Sequence, residues 1–330
     1  MTELISTGAL IRSGARCVAS AMRTTDPIAE VMRLLIHAEA VAAVATDLAT
    51  RLEGRPVPDA IAEAARAVTT VATPTLADCP ASQQRAVLGA IRALLRQAHE
   101  LVVDPTRPAG WSPSDPALLD EQGQASRAFG TIVAAQLARL GPPPGGPRHV
   151  LDIGTGAGHL ALGLAEALPD AHVTGVDVWA PALACARNNV ARAGLDLRIT
   201  VSERDATTLD ERDRYVLAWV PGPFLSEAAL GPILASTSNA LVPGGVVCFG
   251  IYAGPDDPLA HAVTTLRTVR SGGVSMTPAE AIERVAAAGF RDVHEVPKTW
   301  SLPLRLIAGI RRGGAAHGDV RAGWRARTDR

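Results

Sequence analysis

The stretch "VLDIGTGAGHLA", Val150 to Ala161, runs from a strand-like apolar string through three glycines into an apolar helical one. Gly154, Gly156 and Gly158 remove side chains where a backbone must turn sharply or approach another group closely. A strand, a glycine turn and a helix in that order open a βαβ unit, and the following text keeps the same grammar. Strand candidates are "RHVLDI", "HVTGVDV", "LRITV", "RYVLAWV", "GGVVCFGIY", "DVHEV" and "LRLIAGI". Helical strings over 159–168, 181–193, 226–241, 259–270 and 278–288 lie between them. Short apolar strands alternating with amphipathic helices predict an α/β fold with a mostly parallel sheet of seven strands.

Before residue 141 the pattern is helical throughout. "DPIAEVMRLLIHAEAVAAVATDLATRLEG" offers Asp26 as N-cap, Pro27 in the first turn and Gly54 as the stop. "PDAIAEAARAVTTVA" and "SQQRAVLGAIRALLRQAHELVV" behave similarly. The proline-rich "DPTRPAGWSPSDP" connects them to "ALLDEQGQASRAFGTIVAAQLARLG", read as one or two further helices. "GPPPGG", Gly141 to Gly146, breaks any regular structure and is taken as the seam. The expected domains are a helical one over 1–140, a cofactor-binding one over 141–312, and a polar tail over 313–330.

Composition narrows the function classes. A formal net charge of -1 over 330 residues gives no basic field for nucleic acid or an anionic membrane. Cys17, Cys79, Cys185 and Cys248 lack metal-ligand or paired spacing and read as small hydrophobes in a reducing compartment. With no signal-like leader and no long apolar run, the sequence predicts a cytoplasmic protein without a resident metal.

In a parallel sheet, ligands sit at the carboxyl ends of the strands, so the first βα turn is the natural cofactor site. "GAGHLA", Gly156 to Ala161, satisfies the dinucleotide pattern GxGxxG/A. Asp152 argues against that reading. A carboxylate two residues before the first glycine would repel a pyrophosphate, whereas a ligand with an ammonium beside a sulfonium would welcome it. S-adenosylmethionine has both. A turn that is purely structural remains the bland alternative.

"VLDIGTGAGHLAL" resembles the glycine-rich first motif of class I S-adenosylmethionine-dependent methyltransferases, where an acid precedes GxGxG. "VTGVDVWAPALACARNNV" resembles their second motif, which implies that Asp177 binds the ribose hydroxyls. "ITVSERDA" ends the third strand with Asp205, whose counterpart in the family commonly faces the adenine amino group while the next amide, here of Ala206, contacts a ring nitrogen. The implied cofactor set is Asp152, Gly154, Thr155, Gly156, Gly158, Asp177, Val178, Asp205 and Ala206. The resemblance covers roughly residues 148–312 and implies a Rossmann-like methyltransferase sheet. The helical half is similar to the N-terminal domain of two-domain small-molecule methyltransferases, which implies a substrate lid, a homodimer surface, or both.

The methyl acceptor is expected beside "WVPGPF". Amino-directed methyltransferases for nucleic acid or protein often carry Asn-Pro-Pro-aromatic there; this chain has Val220-Pro221-Gly222-Pro223-Phe224, without the Asn. That departure, with the near-neutral charge, points to a small-molecule acceptor methylated on oxygen or nitrogen, in specialised metabolism. Trp219, Pro221, Phe224 and Tyr252 are candidate acceptor contacts, although the aromatic residues read equally well as core. No catalytic base is assigned. Asp256, Asp257 and His261 follow the fifth strand without a His-x-x-Asp pattern, and His261 reads as a surface helix residue. His159 could contact the methionine moiety or be exposed at a helix start, and residues near Ser126 to Phe129 are expected near the same moiety. Two other readings stay open: a protein of this fold that binds the cofactor without transferring methyl, and a nicotinamide-dependent oxidoreductase.

Overall fold

The structure is a computed structural model and describes residues 26–111, 113–138, 148–252, 257–300 and 303–313. The Gly141–Gly146 seam, Cys17, Asp256 and residues 314–330 of the expected tail lie outside these.

Helix α1 (Pro27–Glu53) begins where the Asp26 side chain accepts the Ile28 amide and ends on Gly54 in the left-handed conformation. Helices α2 (Asp59–Ala72) and α3 (Ala81–Val103) follow. The second half of α1 packs on α3 through Val44, Leu48, Ala49 and Leu88. The first half of α1 carries Ile28, Val31, Met32, Leu34, Leu35 and Ile36, each at least 50% exposed.

The segment expected to form one or two helices is a single one, α4 (Pro116–Ala138). Beyond it the chain alternates as the strand and helix patterns predict: β1 (Arg148–Ile153), α5 (His159–Ala167), β2 (Ala171–Asp177), α6 (Ala180–Arg192), β3 (Ile199–Glu203), β4 (Tyr215–Pro221), α7 (Glu227–Ala240), β5 (Leu241–Tyr252), α8 (Pro258–Arg270), α9 (Pro278–Ala287), β6 (Phe290–Glu295) and β7 (Leu304–Arg311). The seven strands form one sheet in the order β3-β2-β1-β4-β5-β7-β6. All neighbours pair in parallel except at β7, which is antiparallel to both β5 and β6. Chain order reverses between β1 and β4, so the carboxyl ends of these two strands flank the crevice where an open α/β sheet takes its ligand.

Each face of the sheet has its own core. On one, Val150, Val173, Leu217 and Trp219 pack with Leu160 and Leu164 of α5 and with Phe129, Val133 and Leu137 of α4. On the other, Leu151, Ile153, Ala218 and Val247 meet Leu230 and Ile233 of α7 and Val285 of α9. Helix α4 reaches the first face by a close crossing with α5. A β-carbon on Gly163 would lie 2.0 Å from the Arg127 carbonyl oxygen, and one on Gly130 would lie 2.6 Å from the Gly163 carbonyl carbon. Two glycines facing each other let the backbones touch, and Arg127 then pairs with Glu166 across the same crossing.

Candidate functional site

The turn after β1 is left-handed three times over: Gly154, Gly156 and Gly158 have φ of 63°, 55° and 82°. Side chains rarely adopt that region, so the glycines are required by the backbone path as well as by space. Two carboxylates bracket this turn. Asp177, at the end of β2, accepts the Gly156 amide at 2.9 Å with one oxygen and the Trp179 amide at 2.9 Å with the other. It therefore fixes the turn's middle glycine while each oxygen keeps acceptor capacity. Burial pushes its carboxyl above the ordinary value, and the Trp179 and Gly156 amides oppose that rise.

Asp152, at the end of β1, is wholly buried. One oxygen accepts the Thr155 hydroxyl at 2.7 Å; the other has no hydrogen-bond partner. Burial pushes this carboxyl up to about 7, with the Thr155 bond opposing and the Asp177 charge adding to the rise. A buried carboxyl oxygen without a partner is costly, and a cation brought close to it would relieve that cost. The donor set thus fits the ligand implied by the sequence: a cation toward β1, a hydroxyl pair toward Asp177, and glycine backbone between them.

The other expected cofactor residues spread along the same edge. Val178 is 64% exposed beside Asp177. Asp205 caps a single 3-10 turn over Ala206–Thr208 by accepting the Thr207 amide at 2.8 Å, and Ala206 is buried. Pro221, at the end of β4, lies so close to the turn that a β-carbon on Gly154 would meet its ring at 2.8 Å.

The acceptor candidates divide. Trp219 is 7% exposed and stacks edge-on with Phe129, their centroids 5.5 Å apart, so it serves the core. Phe224 and Tyr252 instead form an edge-to-face chain with a residue the sequence reading left out, Trp111: Trp111 to Phe224 is 6.3 Å and Phe224 to Tyr252 is 6.2 Å between centroids. Trp111 comes from the proline-rich connector and reaches over the glycine turn, 3.7 Å from where a β-carbon on Gly156 would stand. An aromatic residue inside a run of prolines and glycines has no use in making the loop, and that was the available signal.

His159 is neither exposed nor free. Its Nε2 lies 2.8 Å from Asp120 of α4, and Asn189 of α6 donates to the same Asp120 oxygen at 2.8 Å and to the Ala157 carbonyl at 2.9 Å. Burial lowers the His159 pKa, with Asp120 opposing, so the ring is held neutral. Asp120 is pushed up by burial, yet the bonds from His159, Gln124 and Asn189 outweigh it and hold the carboxyl below its ordinary value. Nothing in local spacing signals this cluster, because its members come from three helices. His261 is exposed, and Asp257 accepts the Leu259 and Ala260 amides as the cap of α8. Among the described residues no group of three His, Cys, Asp or Glu side chains could hold a metal ion.

A family model described as a methyltransferase domain matches residues 150–245, which take in the glycine turn, both bracketing carboxylates and the Asp205 turn. Residues 150–245 thus match a methyltransferase domain. Within curated proteins, the release factor glutamine methyltransferase of Deinococcus radiodurans is 36% identical over 111 residues, 33% of this chain and 36% of that protein. The trans-aconitate 2-methyltransferase of Streptomyces avermitilis is 27% identical over 203 residues, 56% of this chain and 71% of that protein. The crystal structure of human N-acetylserotonin methyltransferase superposes with a TM-score of 0.59 at 15% identity, covering 90% of this chain and 99% of that one. Such a likeness shows a shared fold that includes the helical half as well as the methyltransferase domain.

Proposed function

We propose that this chain is an S-adenosylmethionine-dependent methyltransferase that methylates an oxygen or nitrogen of a small molecule in specialised metabolism. The observation that carries the reading is the pair of carboxylates around the left-handed glycine turn, one of them buried with an unpartnered oxygen. A dinucleotide would bring its pyrophosphate to the same turn, against Asp152, which disfavours an oxidoreductase. In this reading Asp152 holds the cationic amino-acid end, Asp177 accepts the ribose hydroxyls, and Val178, Asp205 and Ala206 border the adenine. The methionine end and the acceptor meet between Pro221, Phe224, Trp111 and Tyr252. S-adenosylmethionine, when bound, would supply a methyl carbon activated by its sulfonium.

The chain's own contribution is then orientation and exclusion of water. Tyr252 does not supply a base, because burial raises its phenol pKa above the ordinary value. Absence of the Asn at Val220-Pro221-Gly222-Pro223 supports a small molecule over the tRNA or release factor acted on by some relatives. The trans-aconitate enzyme among the relatives supports it too. The helical residues of the 1–140 domain would cover the acceptor, and the exposed apolar first half of α1 favours a homodimer. A cytoplasmic location agrees with the absence, among the described residues, of any helix long and apolar enough to cross a membrane.

Calorimetric titration with S-adenosylmethionine, its demethylated product and NAD tests the cofactor, and turnover on an acceptor library with mass detection tests the transfer. Binding of NAD alone would overturn the reading. Binding of S-adenosylmethionine with no methylated product across the library would favour a regulator of the same fold.

A further inference from the structure

A cavity of about 190 Å³ lies between α3, the connector and α8, with Trp111 in its wall. That volume is below the range of most ligand pockets and suits a single ring with short substituents. Leu94, Leu101, Val263 and Trp111 supply apolar surface. The charges around it are unequal: the wall holds Arg107, Arg267 and Arg270 but only one carboxylate, Glu100.

Glu100 is already shared. One of its oxygens lies 3.8 Å from Arg107 and 3.8 Å from Arg270, and Arg270 also donates to the Gln97 carbonyl. Arg267 is left without a carboxylate partner among the described residues. Its guanidinium carbon lies 5.8 Å from the centre of the Tyr252 ring, the last member of the aromatic chain that begins at Trp111. The half-buried guanidinium lies over this ring beside the apolar wall, and no ion pair joins it to a carboxylate among the described residues. A planar guanidinium in that state matches a carboxylate in two parallel hydrogen bonds.

We infer that the cavity takes a small acidic acceptor, a monocyclic compound whose carboxylate is held by Arg267 while its methylated atom points past Trp111 toward the glycine turn. The inference rests on the methyltransferase reading and names the acceptor class for that same site. Arg107 and Arg270 add positive charge to the wall, part of it offset by Glu100.

The test uses the full chain saturated with the demethylated cofactor, and a panel of hydroxybenzoates paired with their neutral carboxamides. Calorimetry should find the acids binding more tightly than their amides by about ten- to a hundredfold, the worth of a charge-assisted hydrogen bond pair. Arg267→Gln should erase that preference, and Arg267→Lys, which keeps the charge but not the fork, should keep only part of it. Cofactor affinity of both variants should match that of the parent, which also shows that they fold. Acids and amides binding equally, neither binding, or an acid preference surviving in Arg267→Gln would each overturn the inference while leaving the methyltransferase reading intact. Failure of the parent chain to bind S-adenosylmethionine would overturn both.

Discussion

Asp120 on α4 and His159 at the first turn of α5 hold each other at 2.8 Å, although 39 residues separate them. His159 directly follows Gly158, so this contact ties the exit of the glycine turn to the helix ahead of the sheet. Asp120→Ala would leave the His159 ring and the Asn189 amide short of a buried partner. The expected loss is about 1–3 kcal/mol of unfolding free energy, measured by denaturant titration. Cofactor affinity should fall with it. A variant with unchanged stability and unchanged affinity would mean that the turn is held by its own backbone alone.

Asp152 should make cofactor binding depend on pH. Its carboxyl is held near half-protonation at about pH 7 in the free protein. A cationic ligand selects the ionised form, so binding expels a proton, affinity rises as pH increases through about 7, and it levels off above. Titrations from pH 6 to 9 in buffers of different ionisation heat would reveal the proton release. Asp152→Asn should bind more weakly, lose the pH dependence and lose part of the salt dependence.

The same group makes a stability prediction of definite sign. A carboxyl raised from 3.8 to about 7 on folding binds its proton more tightly in the native state. Its contribution is complete below pH 3.8 and is lost as pH rises toward 7, on the order of 4 kcal/mol from the size of the shift. Thermal unfolding of the ligand-free chain should therefore show a fall between pH 4 and 7 that Asp152→Asn flattens.

Asp177→Ala removes the anchor of the Gly156 amide and the acceptor proposed for the ribose hydroxyls. Cofactor binding should weaken by about 1.5–3 kcal/mol, the range for hydrogen bonds to a charged group. Circular dichroism should stay that of the parent. Unchanged affinity in a titration would remove Asp177 from the cofactor site.

Gly163→Ala tests the helix crossing. The added methyl would stand 2.0 Å from the Arg127 carbonyl oxygen, a backbone atom that cannot rotate away. Overpacking of this kind costs about 1–3 kcal/mol and sometimes more, so the denaturation midpoint should drop clearly. A stability equal to that of the parent would mean that α4 and α5 separate at little cost.

The sheet was legible because its strands are short apolar runs with helices between them, and both periodicities are local. Asp26, Gly54 and the seven strand strings announced elements that form within a residue or three of the expected bounds. The bracketing carboxylates were legible for the same reason, since each ends a strand. Trp219 was not: an aromatic at a strand's end faces either the core or the ligand, and only the position of Phe129 decides it. Asp120 and Asn189 were invisible as a site because long-range packing of three helices brings them to His159. His159 reads in the sequence as either a methionine contact or an exposed helix start, and α4 buries it against Asp120.

The crossing of α4 with α5 also makes α4 part of the sheet's own body. Phe129, Val133 and Leu137 share one core with Val150 and Leu164, so α4 moves with the sheet. An excised sheet fragment begun at Gly141 would bare a greasy flank and precipitate, whereas one begun at Asp115 would keep its cover.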